Sequence, residues 1–174
     1  MKAFIPTILL MLLTTFGVQA QTASTGTNTN PFPTIATLTS WASYNSQSKF
    51  DIEVRGIGFK FEVKSVEEGS TAFTYIRKVT ANDISYTDRI VYRIANGNTA
   101  SIISLVTAST DLVSLYTPQL STYKSNNCKT EMSKDKNTTC TCYENANYSI
   151  DVCDERVKLT MGDGNKYFIS VAKK

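Results

Sequence analysis

Four cysteines, a residue type that can form disulfides or hold a metal, are clustered late in the sequence. Cys128, Cys140, Cys142 and Cys153 fall within 26 residues. A zinc ion held by all four thiolates would need the spacing C-x11-C-x-C-x10-C, unlike the paired C-x2–4-C of structural zinc sites. The start of the chain predicts export to an oxidising compartment, where disulfides are the preferred state of cysteines. We therefore predict two disulfides and no metal site.

The pairing of these cysteines is restricted by the close spacing of two of them. On a strand, Cys140 and Cys142 would project from the same face about 7 Å apart, because each residue rises roughly 3.3 Å. That distance is near the outer limit for a bridge, so each should prefer another partner. Two connectivities stay open: 128–140 with 142–153, or 128–142 with 140–153.

Other reactive side chains form no complete catalytic motif. The S-x-x-K strings at Ser46–Lys49 and Ser121–Lys124 lack the companion elements of serine acyl-transferases. Asp151, Asp154 and Glu155 could act as the paired acids of a glycosidase, but they lie in predicted turns. The chain has no histidine, so the commonest general base is missing. We predict no catalytic residue and no cofactor; a carboxylate-dependent hydrolase remains the alternative.

The first 20 residues have the features of a secretory signal peptide. Lys2 precedes an apolar stretch from Phe4 to Phe16, and Val18-Gln19-Ala20 forms a small-x-small cleavage site. The stretch is shorter than the roughly 20 residues a membrane span needs. We predict cleavage near Ala20, a secreted or periplasmic product, and no membrane span.

The remaining chain has the size of one domain and a mild charge. Removing 20 of the 174 residues leaves 154 and lowers the formal charge from +3 to +2, because Lys2 is lost. This small net charge does not favour a nucleic-acid partner, because nucleic-acid-binding proteins usually carry a pronounced basic stripe. Residues 21–33 are small and polar with two prolines, and we predict a flexible linker there.

Period-two alternation predicts a hairpin between Arg89 and Val106. Ile90, Tyr92 and Ile94 alternate with more polar neighbours, and Asn96-Gly97 suits a tight turn. The pattern recurs at the end of the chain, where Val157, Leu159 and Met161 precede Asp163-Gly164 and a final apolar run.

Helical spacing predicts two helical regions before the strands of the first half and one before the strands of the second half. They cover Thr34–Tyr44 with Thr34 as cap and Trp41 in the core, Ser48–Arg55, and Ser109–Lys124 with a break at Pro118. Strands are predicted around 59–64, 73–78, 89–95 and 102–106, and again around 128–132, 138–143, 157–161 and 167–171, with an extra extended piece around 148–152 in the second half.

The two halves follow one plan when the chain is laid over itself with an offset of 67. Phe73 and Tyr75 then align with Cys140 and Cys142, which predicts that the cysteines occupy core-facing positions. We predict an α+β fold of two tandem units, residues 34–107 and 108–174. Each unit is a helix followed by four antiparallel strands, and the two share one sheet with the helices on one face.

This plan resembles the β-lactamase-inhibitor-protein-like fold over residues 34–174. The resemblance is architectural and no motif allows functional residues to be carried over. It implies a binding module whose exposed sheet face and turns hold another protein, and it does not identify that protein.

Alternation also predicts which basic side chains occupy the uncovered sheet face. If Ile90, Tyr92 and Ile94 face the core, Arg89 and Arg93 face outward. The predicted binding residues are Lys60, Lys64, Lys78, Arg89, Arg93, Lys129, Arg156 and Lys158. The expected function is non-enzymatic binding of a macromolecule, such as an acidic protein surface. A structural component of a cell-envelope assembly is the remaining alternative.

Overall fold

The computed structural model describes residues 32–81, 84–96, 101–126, 138–159 and 162–174, with only the backbone for 81, 84, 157–159 and 162–165. The predicted signal peptide lies outside these residues.

The described part of the chain has three helices, and the first of them begins after the predicted cap Thr34. They are α1 (Ile35–Ala42), α2 (Gln47–Gly56) and α3 (Asp111–Gln119). The Thr34 hydroxyl caps α1 by accepting a hydrogen bond from the Thr37 backbone N–H at 3.1 Å. Ser46 caps α2 in the same way. None of the described helices is long and apolar enough to cross a membrane.

An eight-stranded antiparallel sheet makes up most of the α+β fold. The strands are β1 (Lys60–Glu67), β2 (Ser70–Ala81), β3 (Ile84–Ala95), β4 (Ser101–Thr107), β5 (Lys124–Asn126), β6 (Thr138–Glu144), β7 (Tyr148–Leu159) and β8 (Gly162–Lys173). Their order is β1-β2-β3-β4-β8-β7-β6-β5. Gly69, at φ 79°, makes the β1–β2 turn, a conformation that glycine adopts without strain.

The helices all pack on one face of the sheet, which we call the covered face. Phe50 of α2 stacks on Tyr92 of β3 and meets Trp41 of α1 edge to face. The core lies between these layers, with Trp41 about 1% exposed as predicted. The opposite side is the open face, defined by the cross-strand row Thr74, Val91, Ser104 and Ser170.

The end of the chain differs from the prediction in one strand and one turn. Residues 148–152 and 157–161 were expected to form two strands, but 148–159 is the continuous strand β7. The predicted Asp163-Gly164 turn is wrong, because both residues pair with β7 inside β8. The register instead pairs Leu159 with Gly162. Strands β3 and β4 pair as the predicted hairpin, whereas Gly97 of the predicted Asn96-Gly97 turn lies outside the described residues.

The third helix is shorter than predicted and has no break. Pro118 lies in its last turn, where the helix is already ending, so no kink follows. Leu112, Tyr116 and Leu120 are buried as the helical stripe indicated, whereas Leu115 is 40% exposed.

The packed body begins before the predicted end of the linker. Pro33 is buried, and its carbonyl oxygen accepts a 2.5 Å hydrogen bond from the Tyr116 hydroxyl. Phe32 packs against the core. Residues 21–31 lie outside the described residues.

Candidate binding face

Half of the predicted basic residues share the open face. Lys60, Lys78, Arg89 and Arg93 occupy register positions on the same side as Thr74 and Val91. Lys129 lies outside the described residues. Lys64 and Arg156 lie on the other side of the sheet, for two separate reasons.

Lys64 lies on the covered face, so its predicted placement is wrong. The register between β1 and β2 shifts between Phe61 and Val63, which makes Glu62 an extra residue in β1. A bulge of this kind reverses the alternation beyond it. Lys64 therefore pairs with Phe73, and its Nζ lies 5.6 Å from the centre of that ring.

Arg156 is also on the side opposite to the prediction. In β7, Ile150 is buried in the core and Val152 packs against it, so even-numbered residues of this regular strand face the covered side. Arg156 follows that alternation and is exposed where the hairpin extends beyond β4. Lys158 pairs with Asp163 in the part for which only the backbone is described.

A shallow concavity of about 390 Å³ lies on the open face of the first three strands. Its lining combines charged, small polar and apolar side chains: Glu62, Val63, Ser65, Glu67, Ala72, Thr74, Arg89, Val91 and Arg93. Small residues at its floor leave room for a protruding group from a partner.

Glutamates partly neutralise the arginines at this concavity. Arg89 lies 3.7 Å from Glu62, and Arg93 lies 3.4 Å from Glu67. Both arginine side chains remain about half exposed, at 52% and 44%. The face is therefore mixed in charge, and ion pairs this exposed contribute little to stability.

A cross-strand row on the open face consists of apolar side chains and Arg89. Ile76, Arg89, Val106 and Phe168 are neighbours across β2, β3, β4 and β8, and the row continues to the bridged Cys153. Ile76, Val106 and Phe168 are half-buried although no described helix packs on this face. This row gives the open face half-buried apolar side chains on both sides of Arg89.

The disulfide joins strands on the open face rather than in the core. Cys140 and Cys153 are bridged and directly paired across β6 and β7, which agrees with the second of the two predicted connectivities. Cys142 is also disulfide-bonded, and Cys128 lies outside the described residues. The core-facing prediction is wrong, because an offset of 67 misplaces β6 by one residue and reverses its faces.

The half-buried carboxyl of Asp151 lies beside the disulfide-bonded Cys142. Asp151 Oδ1 is 2.8 Å from Cys142 Sγ. Burial raises the pKa of the Asp151 carboxyl above its usual range. Next to it across the sheet, the Ser104 and Ser170 hydroxyls are hydrogen-bonded at 2.9 Å.

The carboxylates considered for hydrolysis do not converge. Asp151 and Glu155 are on the open face, whereas Asp154 is on the covered face. Four residues along a strand separate Asp151 from Glu155 by roughly 13 Å, beyond the distances that paired glycosidase acids use.

The two serine–lysine strings lie at the start of α2 and directly after α3. Ser46 caps α2 through the Lys49 backbone N–H, and its hydroxyl is 3.5 Å from that nitrogen. Ser121 follows α3, while Lys124 begins β5, so these two are not on one helical turn.

A buried ion pair on the covered face was not predicted. Arg77 Nη2 donates to Asp88 Oδ2 at 2.7 Å, and Thr107 donates to Asp88 Oδ1 at 2.6 Å. The Arg77 guanidinium also lies 4.6 Å from the Phe59 ring. Burial raises the pKa of the nearby Tyr116 hydroxyl. The sequence contained one indication of this burial. Arg77 follows Phe73 and Tyr75 at alternate positions of β2, so its side chain is on the same face of the strand as theirs.

Comparison with family models, with curated proteins and with solved structures gave no match for this chain.

Proposed function

We propose that the chain is an exported, non-enzymatic binding module that holds an acidic protein surface against its open face. The observation that carries this proposal is the open face itself. It combines half-buried apolar side chains (Ile76, Val106, Phe168) with the exposed cations Arg89 and Arg93, which line a concavity. An apolar centre with a polar rim is the usual composition of a protein–protein interface, and arginine is enriched among its energetically important residues.

The two arginines can change partners at small cost. Their present bridges to Glu62 and Glu67 are long and solvent-exposed, so each is worth less than about 1 kcal/mol. A carboxylate on a partner could replace either glutamate and form a shorter bond from which water is excluded. Lys60 and Lys78 add positive charge on the same face.

Export is the second part of the proposal. It rests on the predicted signal peptide and on the Cys140–Cys153 disulfide, which oxidising compartments allow to persist. We propose that cleavage near Ala20 releases a secreted or periplasmic product.

A tandem origin for the two halves is a further proposal, supported by the strand register. The central pair Ser104–Ser170 relates β4 to β8 with an offset of 66. Following the register outward from that pair relates β3 to β7 with an offset of 60 and β2 to β6 with 68. These offsets preserve the faces of the sheet, and this arrangement is the basis of the resemblance to β-lactamase-inhibitor-protein-like proteins.

The experiment compares charge reversals on the two faces. Immobilised protein would be used to isolate a partner from the extracellular fraction of its source, and affinities would then be measured by biolayer interferometry. We expect Arg89→Glu with Arg93→Glu to weaken partner binding by tenfold or more, because two favourable charge contacts become repulsive.

The matched control is Lys64→Glu with Arg156→Glu. It changes the net charge by the same amount at positions on the opposite side of the sheet. Equal weakening by both double variants would show that only net charge matters. Unchanged binding by the Arg89 and Arg93 variant would contradict the open-face site.

A further inference from the structure

A second cavity opens on the covered face, between α3 and the strands β6 and β7. Its volume is about 320 Å³, within the range of small-molecule sites. It is lined by residues of mixed character from helix α3, its C-terminal end and the two strands: Val113, Thr117, Leu120, Thr139, Thr141, Tyr143, Val152, Cys153 and Asp154. It is separated from the open face by the sheet.

Asp154 brings an unsatisfied oxygen to this cavity. Its Oδ1 atom is buried and accepts no hydrogen bond from the described residues. Buried polar atoms are nearly always paired, so an exception requires an explanation, such as a ligand, an ion or a water molecule. Among the described residues lining the cavity there is no lysine or arginine. The described lining therefore offers no basic side chain to the Asp154 carboxylate.

Thr117 adds a second acceptor without adding a donor. Its hydroxyl donates its proton to the Val113 carbonyl oxygen at 2.8 Å. Only the lone pairs of the Thr117 oxygen then remain for a ligand. A carboxylate and a hydroxyl oxygen together favour a group that offers several N–H donors and carries positive charge.

The remaining walls suit a short hydrocarbon chain. Val113, Leu120 and Val152 are apolar, and the Tyr143 ring can attract a cation over its face. An alkylammonium ion provides three N–H donors, a positive charge and an apolar tail.

The disulfide holds the sheet wall of the cavity from behind. Cys140 lies between Thr139 and Thr141, and its partner Cys153 lies between Val152 and Asp154. Because side chains alternate along a strand, the bridge occupies the open face while its neighbours line the cavity. The bridge therefore fixes the register of β6 and β7 in which Thr139, Thr141, Val152 and Asp154 line the cavity together.

We propose that this cavity binds a primary alkylammonium group, with Asp154 as its anionic partner. The group can come from a free amine or from a lysine side chain of another protein. The site is independent of the proposed function, because it lies on the other side of the sheet from Arg89 and Arg93.

The test titrates n-butylammonium chloride into the ¹⁵N-labelled secreted chain and follows amide chemical shifts. We expect saturable shifts in α3, β6 and β7. Butan-1-ol and butyrate, the neutral and anionic probes of similar size, should produce no saturable shifts there. Lysine with its α-amino and carboxyl groups blocked tests the second source; tighter binding than n-butylammonium would assign the site to protein lysines, and weaker binding to free amines.

Variants identify the carboxylate responsible. Asp154→Asn should weaken n-butylammonium binding by roughly tenfold or more, as expected for loss of a charge-assisted hydrogen bond. Asp151→Asn is the matched control, since Asp151 is on the same strand but faces the opposite side. Arg89→Glu with Arg93→Glu should bind the amine as the wild type does. No saturable shifts, or equal affinity in the Asp154→Asn protein, would overturn the proposal and leave a buried water as the partner of Asp154.

Discussion

The buried pair of Arg77 and Asp88 concentrates charge in an otherwise apolar core. The two residues are 4% and 0% exposed, and Asp88 has hydrogen bonds to both of its oxygens. Arg77 also donates to the Ile57 carbonyl oxygen at 3.3 Å, which links β2 to the end of α2. A charge pair in this environment resists loss of either member, because the remaining charge would be desolvated without compensation.

We therefore expect Arg77→Met to lower the free energy of unfolding by about 3–5 kcal/mol. Urea denaturation followed by circular dichroism would measure the change. The control is Arg93→Met, which removes an exposed pair with Glu67 and should cost less than about 1 kcal/mol. Similar losses in the two variants would contradict burial of the Arg77 pair.

Neither this pair nor the cavity at Asp154 could be predicted from residue types alone. Arg77 is one of 18 lysines and arginines, and such residues are usually exposed. Its burial depends on Asp88 lying directly opposite on β3, which is a matter of register. Asp154 belonged to a predicted turn, and its position inside a strand follows from the pairing of β7 with β8.

At the scale of elements, β6 and β7 depend on a covalent bond as well as on their ladder. The Cys140–Cys153 bridge closes a loop with a sequence separation of 13. Most of this segment's side chains are only half-buried, so the cross-link replaces part of the stabilisation that apolar burial provides in β3 and β4.

We expect Cys140→Ala with Cys153→Ala to lower the free energy of unfolding by about 3 kcal/mol, as for other bridges that close loops of this length. Urea denaturation would measure it. Digestion after Glu144 without reduction, followed by mass spectrometry, should show peptides containing Cys140 and Cys153 joined. Separate peptides would disprove the bridge.

Elements with regular patterns were predicted well, and single-residue irregularities were not. The cap at Thr34, the buried stripe of α2 and the strands β2 to β4 follow from local periodicity. The bulge at Glu62 has no strong signature in the sequence, yet it moved Lys64 to the other face. In β7, the alternation of Val157 and Leu159 indicates one side of the strand as the core side, whereas Ile150 and Val152 indicate the other. The prediction followed Val157 and Leu159, so the face expected for Arg156 was reversed. Four of the eight predicted binding residues lie on the predicted face and two, Lys64 and Arg156, lie on the other, whereas Lys129 and the side chain of Lys158 lie outside the described residues.

For the whole molecule, the described residues form one continuous sheet joined at β4 and β8. Helix α1 packs against both of these strands. Core residues from all three helices and from strands of both halves belong to one cluster. The two halves should therefore lose their structure together.

We expect a single cooperative unfolding transition. Fluorescence of Trp41, the one tryptophan, should give the same urea midpoint as circular dichroism of the sheet. Removing the Cys140–Cys153 bridge should move both midpoints equally, although Trp41 lies on α1, near the start of the described residues. Two separate midpoints would show that the halves unfold independently.

The strand order has a consequence for how the protein is made. Strand β4 is synthesised early but receives its second neighbour only when β8, the last strand of the sheet along the chain, leaves the ribosome. Until then its hydrogen-bonding edge has no permanent neighbour, and an exposed edge invites pairing with other chains. A chain that terminates prematurely before β8 would keep that edge permanently, so incomplete translation products of this protein should aggregate rather than accumulate as half-folded monomers.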